Sequence, residues 1–246
     1  MNGRRPIAAR LTIGLTIGVL ALSFARPLAA QVAFSATALS NYVYRGVTLS
    51  DGKPAVSLNI AYDHASGVYA GGSVIGANTA FDGVQGLGVV AYVGFAGRLK
   101  GGSVWDAGVI DTHVTNFYYG KYAYDLTEIY TGLRTKNLNY YLYFSPDYYG
   151  TGVNTLYAQV SGALHPIRGL RLFGHAGVLT ALDGGGYPRP REQYDLELGV
   201  GTNLTLAHCS VAQIQLAWAT RGPDATYLAG HAQNRSALTL SATHAF

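Results

Sequence analysis

The sequence predicts an all-β fold, namely an antiparallel transmembrane β-barrel of about twelve strands preceded by a cleaved signal peptide. Three observations predict it. From Gln31 to Phe246 apolar residues recur at every second position, in runs of roughly ten residues, as expected for strands with one apolar face. Short and long polar breaks alternate between the runs. Charged residues make up only 12% of the chain, which is about half the share usual in soluble proteins.

The N-terminal segment has the pattern of an export signal. Residues 1–10 carry three arginines, residues 11–25 are mostly apolar, and small residues end at Ala30. This order is typical of a secretory signal peptide, and the apolar stretch is shorter than the about 20 residues of a spanning helix. We therefore expect a signal peptide over 1–30, cleaved near Ala30, and a single barrel domain over 31–246.

The basic balance of the full chain comes from that signal. The chain holds 17 Lys+Arg against 13 Asp+Glu, and four arginines but no acidic residue precede Gln31. The remaining chain therefore carries equal numbers of both charges. Nucleic-acid binding needs a clustered basic surface, and the sequence indicates none. The partners that we expect are a lipid bilayer, the barrel-assembly machinery and small polar solutes.

Twelve strands are predicted, an even number as in bacterial single-chain barrels. They cover residues 32–45, 54–63, 67–77, 87–98, 103–115, 125–134, 138–145, 155–164, 170–180, 192–206, 211–220 and 235–246. Tight connections such as 64–67 and 135–137 alternate with longer ones such as 46–53, 78–86 and 146–154. Short periplasmic turns and long outer loops are typical of outer-membrane barrels.

The polar faces of these strands carry little charge, which indicates that they line a lumen. About 25–35% of a soluble surface is charged, whereas these faces consist mainly of Ser, Thr, Asn, Gln and Gly. The apolar faces, for example Leu58, Ile60 and Tyr62, suit lipid, where charge is costly. The predicted pore-lining candidates are Asn59, Gln159, Arg171, Asp195, Glu197, Asn203, Gln213 and Gln215.

The last strand resembles the C-terminal strand that the barrel-assembly machinery reads. Leu238, Leu240 and Ala242 alternate up to the terminal Phe246, while His244 departs from the apolar or aromatic residue usual at its position. This resemblance implies that Phe246 is an assembly signal and that the protein resides in the bacterial outer membrane.

Three blocks resemble a known bacterial family. Residues 42–56 (YVYRGVTLSDGKPAV), 62–71 (YDHASGVYAG) and 145–150 (SPDYYG) are similar to blocks of a proteobacterial family of exported barrels, known as conserved hypothetical proteins or TorF-type porins. The family tends to have Asp where Asn41 stands. The resemblance implies an outer-membrane location and a channel role, and it supplies neither catalytic residues nor a substrate.

Residues of the long connections allow alternative interpretations. Residues 51–54 (DGKP) have the pattern of a simple turn. Alternatively, Arg45 and Lys53 form a pair of cations near the outer mouth that attracts anions. Tyr148 and Tyr149, together with other loop tyrosines, belong either to an interfacial aromatic belt or to a stacking surface for a sugar or aromatic solute.

Two carboxylates share one strand face. Asp195 and Glu197 lie two residues apart and therefore point to the same side. We expect them to meet Arg171 or Arg221 in a lumen network rather than to act as an acid–base pair.

The predicted function is the passive passage of small polar solutes through a narrow or partly plugged lumen, since twelve strands lie between filled small barrels and open porins. A non-conducting barrel with a binding or structural role is the alternative. A lipid-modifying enzyme using His175 and Ser161 is a third, although we expect no enzyme. Asp111 and His113 share one strand face, but two ligands are too few for a metal site, and no cofactor is expected.

Overall fold

The computed structural model describes residues 31–50, 52–79, 83–117, 122–183, 192–205, 211–222 and 235–246. Its strands are β1 Gln31–Leu39, β2 Val43–Tyr44, β3 Val47–Thr48, β4 Ala55–Asp63, β5 Val68–Thr79, β6 Gly83–Arg98, β7 Val104–Phe117, β8 Tyr122–Arg134, β9 Leu138–Ser145, β10 Thr155–Ile167, β11 Leu170–Ala181, β12 Glu192–Thr205, β13 Val211–Arg221 and β14 Ser236–Ala245. A 3₁₀ turn, η1, spans Tyr148–Gly150. The predicted signal peptide lies outside the described residues.

Within the described residues, twelve antiparallel strands close into a barrel, which confirms the predicted fold class. Each of these strands pairs with its neighbour along the chain, and β1 joins β14 to close the sheet. The remaining two strands, β2 and β3, pair only with each other. No helix among these residues is long and apolar enough to cross a membrane.

The connections divide the barrel into two ends. Residues 64–67, 99–103, 135–137 and 168–169 join strands at one end, called here the short-turn end. Gln31 and Phe246 lie at this end too, where Phe246 donates its backbone N–H to Phe34. The opposite end, called the long-connection end, carries residues 40–54 and 146–154.

The barrel is apolar outside and polar inside. Leu58, Leu198 and Leu238 point outward and are 54–63% exposed, whereas Ser57 and Asn59, next to Leu58 on β4, are buried on the inner face. Side chains of a strand alternate between the two faces. The outward direction of the apolar residues therefore also sets the inward direction of their polar neighbours. The inverted arrangement predicted from the sequence is therefore the observed one.

Two parts of the strand prediction are wrong. The first strand ends at Leu39 rather than at Arg45, because Leu39 makes the last pairs of β1 with β4 and β14, and the chain then enters the lumen. The connection predicted over 78–86 is shorter, because β5 and β6 continue to Thr79 and from Gly83 after a register shift near Gly76. Polar residues near these strand ends made the sequence resemble a connection.

Charge placed on the outer face tests the inverted arrangement. Leu58→Arg should lower the free energy of unfolding in lipid vesicles by about 2–4 kcal/mol, since the charge would lie in hydrocarbon. Val68→Arg at the short-turn end of β5 is the matched control, with a loss of about 0–1 kcal/mol. Urea titration measures both variants, and a barrel with its outer face in water would lose no stability at Leu58.

Candidate functional site

The described residues 40–50 and 52–54, called here the plug segment, fold into the lumen from the long-connection end. Its hairpin turns at Arg45 and Gly46, both with positive φ (48° and 72°). Such a two-residue turn matches the twist of paired strands. A Cβ on Gly46 would lie 2.8 Å from the Cβ of Arg221 and 3.1 Å from that of Asp195. Glycine therefore allows the hairpin tip to reach the β12–β13 wall.

Two polar side chains hold the base of the plug segment together. The Asn41 Oδ1 accepts hydrogen bonds from the Thr48 and Ser50 hydroxyls and from the Gly52 N–H. The Ser50 hydroxyl also accepts from the Tyr42 N–H at 2.8 Å. Asn41 acts here as an acceptor, a role that the Asp of the resembling family would also fill.

A buried ion pair fastens the plug segment to the far wall. The Nη2 of Arg45 donates to both carboxylate oxygens of Glu128 on β8 at 2.9 Å. Arg45 is 8% exposed and Glu128 is 2% exposed. Both charges are buried, so each depends on the other.

Aromatic rings surround the Arg45 guanidinium. Its central carbon lies 3.8 Å from the ring centroid of Tyr157 on β10 and 5.4 Å from that of Tyr143 on β9. Tyr44 of the plug segment lies at 4.9 Å. These distances are within the range of cation–π attraction. We call the three wall residues, Glu128, Tyr143 and Tyr157, the cation cage.

The guanidinium group of Arg45 stays protonated. Burial acts to lower the pKa of Arg45, but the Glu128 carboxylate and nearby tyrosine hydroxyls outweigh burial and hold that pKa well above its usual value. Burial raises the pKa of Tyr148 to about 12, so this neighbouring hydroxyl stays neutral. The cage therefore holds a cation at every physiological pH.

Apolar packing covers the other side of the plug segment. A small pocket there is lined mainly by apolar side chains of the plug segment, of η1 and of β5–β7: Tyr42, Tyr44, Leu49, Ile75, Leu87, Gly88, Val90, Thr112, Val114 and Tyr149. Tyr148 and Tyr149 pack edge to face with centroids 4.7 Å apart. The connection that carries η1 thus narrows the lumen together with the plug segment.

The cation cage continues into a second polar network on β10–β12. The Tyr157 hydroxyl donates to Asp195 at 2.9 Å, and His175 Nε2 lies 2.8 Å from Asp195 and 2.9 Å from the Tyr157 hydroxyl. A Cβ on Gly177 would lie 2.1 Å from the Tyr157 hydroxyl. Gly177 therefore makes room for the ring that flanks Arg45.

Another charged cluster lies nearer the short-turn end. Asp106 is fully buried and accepts hydrogen bonds from the hydroxyls of Tyr69 and Tyr141, the latter at 2.7 Å. Arg134 lies 3.6 Å from the same carboxylate. Sequence reasoning missed both Asp106 and Glu128, because their partners lie on strands or segments far away along the chain.

The wall from β13 through β14 and β1 to β4 is polar and uncharged over its middle part, and the inward carboxyl group of Asp63 lies at its short-turn end. Its inward side chains include Ser35, Thr37, Ser57, Asn59, Gln213, Gln215, Ser241 and Thr243. Thr37 and Thr243 share a hydrogen bond of 3.0 Å, and Asn59 donates to Ser35 at 3.3 Å. This neutral wall faces the charged and aromatic wall formed by β7–β12.

The predicted pore-lining candidates all alternate onto the inner face. Five of them are buried there: Asn59, Gln159, Asp195, Gln213 and Gln215. Arg171 stacks on Phe173 at 4.7 Å, Glu197 is half-buried opposite His175, and Asn203 lies exposed near the short-turn end. Their roles in passage remain predictions.

The mouth candidates are placed differently. Arg45, Tyr148 and Tyr149 are buried inside the barrel rather than at an open mouth, because the plug segment and η1 turn inward. Lys53 is exposed at the long-connection end. Phe246 is 77% exposed and its ring packs on His244 at 4.6 Å, and its role in assembly remains a prediction.

The candidate residues for other chemistry lie as follows. Ser161 is opposite His175 in the β10–β11 register, but the hydrogen bonds that His175 makes run to Tyr157 and Asp195. Asp111 and His113 bind Thr127 and Asp125 of the neighbouring strand. Among the described residues, no group of three His, Cys, Asp or Glu side chains could hold a metal ion.

The chain belongs to the Gcw_chp family of bacterial proteins of unknown function, whose profile matches residues 27–238. This match places the chain in a bacterial family, as the resemblance implied, while the name TorF-type porin remains a prediction. No curated protein matches the chain.

A solved barrel shares the fold. The chain is similar to the NanC porin, with 12% identity and a TM-score of 0.55 over 88% of this chain and 99% of that chain. At this identity the similarity is one of fold. OccAB3 of Acinetobacter baumannii also matches, with 11% identity and a TM-score of 0.42 over 88% of this chain and 64% of that chain.

Removing the carboxylate of the ion pair should release the plug segment. Glu128→Gln leaves Arg45 buried without a counter-charge, which costs about 3–5 kcal/mol. We expect trypsin to cut the folded variant after Arg45, and mass spectrometry after denaturation should then detect a fragment of residues 31–45. The wild-type barrel should resist this cleavage.

The double variant Arg45→Gln/Glu128→Gln provides the control for stability. It removes both charges together, so urea titration should show a smaller loss than Glu128→Gln alone. If the wild type and Glu128→Gln resisted trypsin at Arg45 equally and had equal free energies of unfolding, the ion pair would not fasten the plug segment.

Proposed function

We propose that this member of the Gcw_chp family is an outer-membrane channel for small polar solutes whose lumen is narrowed by the plug segment. The observation that carries the proposal is a polar lumen inside an apolar barrel, obstructed by a segment that is separate from the wall. The plug segment contributes no strand to the barrel sheet, so its withdrawal would break no pairing between wall strands.

The location rests on the outer surface and the chain ends. A belt of exposed Leu, Val, Phe, Tyr and Trp side chains covers the outside, and a closed sheet leaves no unpaired strand edge in lipid. The signal pattern before Gln31 and the terminal Phe246 support export and assembly in the outer membrane.

The kind of solute follows from the two walls of the lumen. The neutral wall offers hydroxyl and amide groups, which form hydrogen bonds without demanding a charge. The opposite wall carries carboxylates, arginines and tyrosines. Such a lumen suits small polar molecules, with selectivity set by the charged side.

A non-conducting barrel is the second candidate. The observation that favours it is the depth of burial around the plug segment, where Tyr149 and Tyr157 are 2% and 1% exposed. A lumen packed to this degree could serve envelope stability or binding instead of passage. Ionic current separates the two candidates.

Single-channel recording in planar lipid bilayers tests the channel. Refolded protein of residues 31–246 should give discrete but small current steps, because the plug segment narrows the lumen. Replacing residues 41–53 with a short Gly-Ser linker should raise the conductance at least about twofold, since a wider lumen admits more ions.

Lys53→Gln serves as the control for a charge change on the same segment without loss of the plug. A linker variant that is folded and inserted yet gives no current would overturn the channel and favour the non-conducting barrel.

A further inference from the structure

The cation cage is complete without the residue that fills it. Glu128, Tyr143 and Tyr157 lie on the adjacent strands β8, β9 and β10 and all point inward. Arg45 comes from the plug segment, 83 residues away from Glu128 along the chain. The wall therefore holds a preformed site, and Arg45 is its occupant rather than one of its components.

The chemistry of this site is specific for a planar cation. A carboxylate at 2.9 Å from one guanidinium nitrogen neutralises the charge, and an aromatic face at 3.8 Å from the central carbon covers the flat surface. Guanidinium groups combine these two demands, because they are planar, always charged and only weakly hydrated. A compact ammonium would satisfy the carboxylate but would stack less well on Tyr157.

Neutral and anionic solutes cannot take the place of Arg45. Either would leave the Glu128 carboxylate buried without a counter-charge, and an isolated buried charge is strongly unfavourable. A solute that displaces Arg45 must therefore bring a cation of its own.

Arg45 itself fits the cage imperfectly. Its backbone adopts a φ of 48°, which residues other than glycine rarely do. A free solute is not bound by the hairpin backbone and can orient its guanidinium to suit both the carboxylate and the ring.

From this geometry we propose that the cation cage is a binding site for small solutes carrying a guanidinium group, and that Arg45 is a built-in mimic of that group. The proposal rests on the proposed channel and names the class of solute for which the lumen is selective. Entry of such a solute exchanges one guanidinium for another at Glu128 and frees the plug segment from the wall.

Calorimetric titration of the refolded protein with ethylguanidinium chloride tests the cage without any need for current. Arg45→Gln vacates the cage and should bind ethylguanidinium, whereas urea, the neutral isostere of the guanidinium group, should not bind at the same concentration. Arg45→Gln/Glu128→Gln should bind ethylguanidinium at least about tenfold more weakly, because the charge-assisted hydrogen bond is lost. Arg45→Gln/Tyr157→Leu should lose about tenfold through the missing aromatic face.

Lys53→Gln is the matched control, because it removes one positive charge from the same segment at an exposed position while Arg45 stays in the cage. It should bind no more ethylguanidinium than the wild type. Folded Arg45→Gln that shows no ethylguanidinium binding, or that binds urea equally well, would overturn the proposal.

A folding measurement covers the case in which Arg45→Gln does not fold alone. Refolding is then compared in ethylguanidinium chloride and in urea at equal millimolar concentration. Recovery of folded barrel in ethylguanidinium only supports the cage, and recovery in neither solute contradicts it.

Bilayer recording of the linker variant distinguishes failure of the cage from failure of the channel. Binding without current would remove the channel and keep the cage as a binding site. Current without ethylguanidinium binding by Arg45→Gln would keep the channel and remove the proposed solute class.

Discussion

A carboxylate buried in the barrel wall needs a cation, and the organisation of the lumen depends on how Glu128 obtains one. No residue of β7 or β9 supplies the charge at its level, and Arg45 reaches it across the lumen. The plug segment must therefore enter the barrel to bring Arg45 to Glu128. Loss of either charge would leave the other unpaired. The position of the plug segment in the lumen therefore depends on the ion pair.

Tyrosine and glycine let this arrangement fit inside twelve strands. The rings of Tyr143 and Tyr157 fill the space between the wall and the plug segment, and Gly177 accommodates the Tyr157 hydroxyl. Gly46 brings the hairpin tip against β12 and β13. On the opposite side, the neutral wall is linked by hydrogen bonds between Thr37 and Thr243 and between Asn59 and Ser35.

Much of the fold could be predicted from sequence because alternation is a local signal. Leu58 and Asn59 reveal two faces of β4 by their order alone, and twelve such runs imply a closed sheet. The plug segment could not be recognised this way, since Tyr42, Val43 and Tyr44 are residue types that are common in wall strands. The pairing of Arg45 with Glu128 and of Tyr141 with Asp106 depends on closure of the barrel, and no local spacing encodes it.

The most direct test of the account is whether the plug segment lies inside the barrel in a membrane. Val47, which is 4% exposed, and Lys53, which is exposed, are replaced one at a time by Cys in a background where Ala replaces the native Cys209. Each folded variant in lipid vesicles is then exposed to a bulky, membrane-impermeant maleimide. The account predicts rapid labelling at position 53 and little labelling at position 47. Equally rapid labelling at both positions would show that the plug segment lies outside the lumen, and would contradict the account.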